Sequence, residues 1–317
     1  MRFKYLKLAV LMFFLPLTTY ALKLPDLPKG WSDGYVYSNG VRIHFYHAVP
    51  APEKPVMVMV HGVTDNGVCW TDVSLKLQDS YNIYMLDTRG HGLSDPFTPS
   101  DDEDTLINDV VDFVKVMNFV KPILVGHSMG AATVMRVGAE YPDLAKTIIM
   151  LDPGLPRKTS AERPQRRNTP PKRNEQKKSK PDPLSFRMMG SPESLVKQNN
   201  YSFEDLVTKG SRENPKWSKR DVLYWALSKK QYHGPYTNAA WTAMSGSMRT
   251  EGALAKIPVK SLILKADTSA EKRKINQESI AGMKRVKLVH VDDARHNLHH
   301  DELKRTVKEI KEFLNTI

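Results

Sequence analysis

Short, continuous apolar runs recur along most of this 317-residue chain, and they constrain its fold more than any other feature. A run of about five residues without polar alternation is typical of a strand buried on both faces, as in a parallel sheet. Helix-like stretches separate several of these runs, which is the pattern of repeated βα units. The sequence therefore predicts an α/β fold with a mostly parallel central sheet and flanking helices. The expected buried strands are 56–60, 81–86, 122–125, 147–151, 261–265 and 286–291.

An antiparallel hairpin is expected ahead of these strands. Residues 35–46 alternate apolar and polar side chains around Asn39-Gly40, a dipeptide that tolerates positive φ in a two-residue turn. With the hairpin counted, the strand 147–151 is the sixth strand of the chain. Helices are expected between and after the strands, at about 104–117, 129–141 and 300–315.

The alternation of strands and helices stops after the sixth strand and resumes only with the seventh. Asp152-Pro153-Gly154 marks the break. We interpret residues 155–250 as an inserted lid, because two of its stretches have helical composition and three tryptophans supply apolar surface. Residues 22–154 and 251–317 then form the core.

The N-terminus has the composition of a targeting segment. Basic residues precede an apolar run at 8–17, and small residues follow it, so residues 1–21 predict a secretory signal peptide. The protein is therefore expected to be exported, either periplasmic or secreted. An uncleaved membrane anchor is the alternative, although the run is only half of the roughly 20 residues that a bilayer span needs.

A second unusual segment, residues 157–187, concentrates positive charge. It carries eleven basic residues against three acidic ones, in a chain whose formal net charge is +12. Its prolines and lack of apolar residues are typical of a solvated, flexible loop. Contact with nucleic acid or an anionic membrane is the alternative, but aromatic side chains for base stacking are missing before Phe186. We expect no specific nucleic-acid partner and at most weak contact with anionic surfaces.

The most specific motif is Gly126-His127-Ser128-Met129-Gly130, which lies between an expected strand and an expected helix. This is the strand-turn-helix context of a nucleophile elbow. Glycines two residues either side of the serine leave room for the tight turn, and the turn places the serine at the positive end of a helix. The motif predicts Ser128 as a nucleophile, with a tight turn of no catalytic role as the alternative.

With three other segments, this motif resembles the α/β-hydrolase superfamily, and in particular its lidded, esterase-like serine hydrolases. The resemblance extends from Gly34 to the C-terminus. The further segments are His61-Gly62-Val63, similar to the oxyanion loop; residues 87–95, similar to D-x-R-G-x-G-x-S; and 294–298, which carries His296 with Arg295 in place of the common glycine. The resemblance implies that the backbone N–H groups of Val63 and Met129 form the oxyanion hole.

A serine hydroxyl needs a base to take its proton and a carboxylate to orient that base. The resemblance implies that His296 is the base. Two carboxylates are candidates for the acid. Asp267 follows the strand 261–265, where the family places its acid, and is favoured; Asp152 follows the preceding strand and is the competitor. His61 and Arg89 are interpreted as structural residues of their loops.

The expected function is hydrolysis of a small-molecule ester or lactone through an acyl-Ser128 intermediate. Serine rather than aspartate at this position argues against the related epoxide hydrolases and dehalogenases. Carbon-carbon bond hydrolysis, amide hydrolysis and cofactor-free haloperoxidase chemistry use a similar triad and remain alternatives. A non-catalytic protein that binds a polyanion or a membrane is the alternative of another class. No metal or cofactor is expected, because no metal-ligand spacing and no nucleotide-binding glycine motif occurs.

Overall fold

A computed structural model of the chain describes residues 24–155, 200–234 and 237–317. The predicted signal peptide at 1–21 and the basic stretch at 157–187 lie outside the described residues. The boundaries 155 and 250 of the lid therefore stay predictions.

Eight strands form one central sheet in the order β1-β2-β4-β3-β5-β6-β7-β8. Strands β1 and β2 form the expected antiparallel hairpin, and β2 pairs antiparallel with β4. All other neighbours in the sheet are parallel. The strands are β1 (Ser32–Ser38), β2 (Val41–His47), β3 (Val56–Val60), β4 (Asn82–Leu86), β5 (Ile123–His127), β6 (Thr147–Leu151), β7 (Ser261–Lys265) and β8 (Val286–His290).

Helices flank the sheet and follow its strands. In the part of the chain that the structure describes, they are α1 (Thr71–Leu77), α2 (Thr105–Val116), α3 (Met129–Glu140), α4 (Phe203–Glu213), α5 (Lys219–Lys230), α6 (Asn238–Ser247), α7 (Ala253–Lys256), α8 (Ala270–Ser279), α9 (Leu298–Asp301) and α10 (Leu303–Leu314). Helices α4, α5 and α6 lie between β6 and β7, which is compatible with a lid inserted after the sixth strand.

The core lies on both faces of the sheet, as strands without polar alternation require. Met57 and Met59 of β3 pack in a cluster that includes residues of α1 and α10. Val58 and Val60 of the same strand pack in a second cluster with residues of α2 and α3. The predicted α/β architecture is therefore confirmed.

Four helices of the described residues were not expected from the sequence, namely α1, α6, α7 and α8. Helix α8 buries only Ser279 and is otherwise in contact with solvent. A helix in this position needs no apolar stripe, and without such a stripe its sequence does not indicate a helix. Helix α1 has the opposite character, because most of its seven residues are buried. Helix α6 consists largely of small residues, and Thr237 caps it through its side chain. Within the described ranges, no helix has the length and apolar character needed to cross a bilayer.

Candidate active site

Strand β5 delivers Ser128 to the carboxyl edge of the sheet in a strained turn. Ser128 has φ of 52° and ψ of −112°, a conformation that a residue with a side chain rarely adopts, and helix α3 begins directly after it. The flanking glycines are required by close backbone contacts. A Cβ at Gly126 would lie 2.2 Å from the carbonyl oxygen of Gly130, and one at Gly130 would lie 2.2 Å from that of Val60. The local sequence therefore fixes a half-buried serine at a strand-to-helix turn.

A hydrogen-bonded relay runs from Ser128 through His296 to a carboxylate. The Nε2 atom of His296 lies 2.9 Å from the Ser128 Oγ, and its Nδ1 atom lies 2.6 Å from Oδ2 of Asp152. Because an ionised carboxylate can only accept, it selects the tautomer with the proton on Nδ1. The Nε2 lone pair is then directed at the serine hydroxyl. The structure thus brings together the predicted Ser128 and His296.

Asp152 is held as a charged carboxylate by its surroundings. It follows β6 with φ of 46°, and its Oδ1 atom pairs with Lys265 and accepts from the backbone N–H of Ala266. Burial raises the pKa of Asp152, but the hydrogen bond from His296 and the charge of Lys265 outweigh it and lower the pKa well below the usual range. The carboxylate is therefore ionised at any pH at which a histidine base is neutral.

The prediction that Asp267 orients His296 is wrong in this geometry. The Asp267 carboxylate is partly exposed, pairs with Arg273 and accepts from the backbone N–H of Asp293 at 2.9 Å. That N–H and the Arg273 guanidinium lower the pKa of Asp267. Asp267 therefore anchors the start of the loop that leads to His296, whereas Asp152, the competitor, contacts the imidazole itself.

The oxyanion loop after β3 is fixed through His61. The backbone N–H of Thr88 donates to Nε2 of His61 at 3.0 Å, so Nδ1 carries the proton and donates to the carbonyl of Gly62 at 2.8 Å. That carbonyl belongs to the same peptide as the Val63 N–H, so its orientation fixes that of the N–H. A Cβ at Gly62 would lie 3.2 Å from the Ser128 Cβ, which shows how closely the loop approaches the serine.

Met129, the other predicted contributor to the oxyanion hole, is the first residue of α3. Its backbone N–H is one of the first four of a helix, which have no acceptor within the helix. Val63 and Met129 are both buried and pack in the same small apolar cluster. The assignment of their N–H groups to an oxyanion hole stays a prediction.

His127, between the glycine and the serine of the elbow, supports the base. Its Nε2 atom donates to the backbone carbonyl of His296 at 3.0 Å. Burial and the neighbouring His296 lower the pKa of His127 to about 3, so its imidazole is neutral. No sequence pattern indicates this role of His127, because only the folded chain brings the end of β5 next to the loop of His296.

The loop of His296 also contacts the predicted lid. The guanidinium of Arg295 bonds to Asp301, to the side chain of Asn214 and to the carbonyl of Glu213. The indole of Trp217 donates to Asp301 at 2.8 Å. Arg295, which replaces the common glycine, therefore points away from the imidazole and ties its loop to the turn between α4 and α5.

A cavity of about 200 Å³ opens in front of the relay. It is small for a ligand site, since such pockets usually measure about 300 to 1,000 Å³. Charged and polar side chains from the oxyanion loop and from helices α4 and α5 contribute much of its wall. The lining residues are Gly62, Val63, Thr64, Asp65, His127, Ser128, Lys209, Glu213, Trp225, Lys229, His296 and Asn297.

Across residues 24–155, 200–234 and 237–317, no three His, Cys, Asp or Glu side chains come together as metal ligands would.

Comparison with known proteins gives a family and a set of relatives. The sequence profile described as the alpha/beta hydrolase family matches residues 57–309. The chain is 32% identical over 98 residues to 2-(acetamidomethylene)succinate hydrolase of Mesorhizobium japonicum, covering 31% of this chain and 35% of that one. It is 28% identical over 127 residues to epoxide hydrolase 1 of Caenorhabditis elegans, covering 39% and 31% of the two chains. These matches span about a third of the length of either relative.

The fold is similar to that of solved structures over most of the chain. The crystal structure of the enol-lactonase from Burkholderia xenovorans superposes with a TM-score of 0.58 at 17% identity, covering 89% of this chain and all of that one. Identity this low supports the fold alone.

Proposed function

Because the chain belongs to the α/β hydrolase family, we propose that it is a serine hydrolase that cleaves a carboxylic ester or lactone through an acyl intermediate on Ser128. One observation carries the proposal: the continuous hydrogen bonding of Ser128, His296 and Asp152, at 2.9 Å and 2.6 Å. A serine, a histidine and a carboxylate in this order form a nucleophile with its base and the group that orients the base.

The proposed reaction has two halves. In the first, the His296 Nε2 takes the Ser128 proton while Oγ attacks the substrate carbonyl, and the N–H groups of Val63 and Met129 stabilise the oxyanion. As the tetrahedral intermediate collapses and the acyl–oxygen bond breaks, His296 gives its proton to the leaving alkoxide oxygen, which departs as an alcohol from an ester and stays attached to the acyl chain of a lactone. In the second half, His296 takes a proton from water, hydroxide adds to the acyl carbonyl, and the acid is released as Ser128 recovers its proton. Asp152 stays ionised throughout.

The serine at the elbow also separates this chemistry from that of relatives named as epoxide hydrolases. Opening an epoxide through a covalent ester needs a carboxylate nucleophile, and Ser128 provides a hydroxyl at that position. The small cavity and its charged wall support a short, polar acyl group over a long aliphatic one.

The test is a substrate panel that varies the acyl chain and also compares ester, lactone and amide bonds. Activity would be measured on p-nitrophenyl esters of rising chain length, on five- and six-membered lactones and on matched p-nitroanilides. We expect the highest kcat/KM with short esters or lactones, and no turnover in Ser128→Ala. Anilide hydrolysis that exceeds ester hydrolysis would replace the proposal with amide hydrolysis. Absence of turnover together with retained binding of polyanions would favour the non-catalytic alternative.

Export is a separate part of the proposal. It is supported by the composition of residues 1–21 alone.

A further inference from the structure

Lys229 of helix α5 reaches from the predicted lid into the oxyanion loop. Its side chain is 3% exposed. The ammonium group donates to the carbonyl of Thr64 at 2.9 Å, to the Thr64 hydroxyl at 2.8 Å and to Oδ1 of Asp65 at 2.8 Å. These three acceptors match the three donors of an ammonium group. Lys229 has no role in the reaction steps proposed above.

Thr64 needs such support because its backbone is strained. Its φ is +64°, in the left-handed region that a β-branched residue rarely adopts. Strain of this kind persists only where surrounding contacts hold it in place. Lys229 bonds both the carbonyl and the hydroxyl of Thr64, so it holds the residue from the backbone and from the side chain.

Val63 lies between two fixed carbonyl groups. His61 bonds the Gly62 carbonyl on one side, and Lys229 bonds the Thr64 carbonyl on the other. The N–H of Val63 is the donor that the proposed mechanism assigns to the oxyanion. That N–H shares its peptide with the Gly62 carbonyl, and Lys229 holds the Thr64–Asp65 peptide further along the same loop. The loop that carries the donor is therefore held by a contact within the core and by a contact from α5.

The charge of Lys229 is balanced by Asp65. Burial raises the pKa of Asp65, but the Lys229 charge outweighs it and lowers that pKa, so the carboxylate is ionised. A buried ion pair contributes little to folding compared with apolar packing, because both ions lose their hydration. Stability alone thus gives little reason for a lysine at this position.

We propose that Lys229 is a positioning residue that holds the oxyanion loop in its productive conformation, so that the oxyanion hole is complete only when helix α5 is seated on the core. The inference rests on the proposed function, because it assigns a task to the Val63 N–H. At its other end, helix α5 contacts helix α9, which follows the loop of His296, through the pair of Asp221 with His300 at 3.1 Å. One helix therefore bridges both halves of the catalytic machinery.

The experiment measures how fast a fluorophosphonate probe labels Ser128. The phosphonyl oxygen occupies the oxyanion hole as the serine attacks, so the second-order rate constant reports on that hole. The variants are Lys229→Met, the double variant Asp65→Asn/Lys229→Met, which leaves no unpaired buried charge, and Lys230→Met as the matched control. Lys230 is the next residue of α5 and is exposed, with its ammonium on the carbonyl of Tyr201.

We expect both Lys229 variants to label about 10- to 100-fold more slowly than wild type, since a misplaced donor loses much of its effect on the rate. Lys230→Met should label within about twofold of wild type. The pH dependence of labelling should keep its acid limb, because the contact between His296 and Asp152 is untouched. Circular dichroism would confirm that each variant is folded, and the double variant decides the result if Lys229→Met does not fold.

The other possible outcomes show whether the positioning role or the proposed function is wrong. Labelling of the Lys229 variants at the wild-type rate would overturn the positioning role. So would an equal loss in Lys230→Met, which would indicate a general effect on α5, or an acid limb that moves, which would indicate damage to the relay. A wild-type protein that is not labelled at all would overturn the proposed function, and the inference with it.

Discussion

Replacing Asp152 with asparagine should remove most of the activity, and the structure shows why a change of one atom is enough. The Oδ1 atom of Asp152 faces two donors, the Lys265 ammonium and the Ala266 N–H. An asparagine in this position would place its carbonyl oxygen on those donors and turn its NH₂ group towards Nδ1 of His296. The imidazole would then accept at Nδ1 and carry its proton on Nε2, which is the wrong tautomer to receive the Ser128 proton.

The size of the loss follows from this inversion. A triad whose histidine is held in the wrong tautomer loses about 10⁴-fold in kcat, or about 5 kcal/mol of transition-state stabilisation. We expect a loss of about 10³- to 10⁴-fold for Asp152→Asn, with KM little changed. Lys265 would lose its charged partner, so the melting temperature should be measured alongside to separate catalysis from stability.

Asp267→Asn is the matched control. Its asparagine keeps an oxygen that can accept from the Asp293 N–H, and only the partly exposed ion pair with Arg273 is weakened. Exposed pairs of this kind contribute little, so we expect less than about a fivefold change in kcat/KM. The assay is hydrolysis of p-nitrophenyl acetate by both variants at one enzyme concentration. A loss in Asp267→Asn greater than that in Asp152→Asn would refute the reasoning and return the acid to position 267.

Lys265→Met should lower kcat/KM by about tenfold, because the Lys265 ammonium holds Oδ1 of Asp152 while Oδ2 contacts the imidazole of His296; activity within about twofold of wild type would contradict this. Pairing with Asp221 outweighs burial and raises the pKa of His300, so this pair stabilises the fold fully below the unfolded histidine pKa of about 6.5 and loses that effect as pH rises through the folded value. Asp221→Asn should therefore lower the melting temperature by about 2 °C or more at about pH 6 and by less at about pH 9, and a difference independent of pH would reject the coupling. Gly130→Ala should yield insoluble protein, because its Cβ would stand 2.2 Å from a strand carbonyl oxygen; a normal soluble yield would show that the elbow tolerates a side chain.

The sequence was sufficient to predict the sheet and two members of the relay. Buried parallel strands have apolar runs, so β3, β6 and β7 begin and end at the predicted residues. The elbow places Ser128 by local geometry alone, since a strand, a tight turn and a helix are all encoded within a few residues. His296 follows the last strand at the same edge.

The sequence could not distinguish Asp152 from Asp267 as the acid, and the reason is physical. Asp152 and Asp267 both follow parallel strands at the same edge, so each meets the positional requirement. They differ in the path of the few residues that follow each strand. Asp152 directly follows β6 and turns at positive φ towards the imidazole, whereas Asp267 comes two residues after β7 and faces Arg273.

Contacts between segments that are distant in the sequence could not be predicted from it either. Lys229 and Thr64 are 165 positions apart, and nothing in the composition of α5 distinguishes this lysine from the exposed one that follows it. The contact between Lys229 and Thr64 forms only when α5 packs against the oxyanion loop. The same holds for Arg295, which the sequence shows only as a departure from a common glycine.

Intact-protein mass spectrometry after treatment with a fluorophosphonate tests directly whether Ser128 is the nucleophile. We expect the wild-type protein to gain the mass of a single phosphonyl group, which peptide mapping should locate on Ser128. Ser128→Ala should gain none while keeping its fold by circular dichroism. Modification of Ser128→Ala to the same extent as wild type, or of another residue in the wild-type protein, would contradict the assignment of Ser128 as the nucleophile.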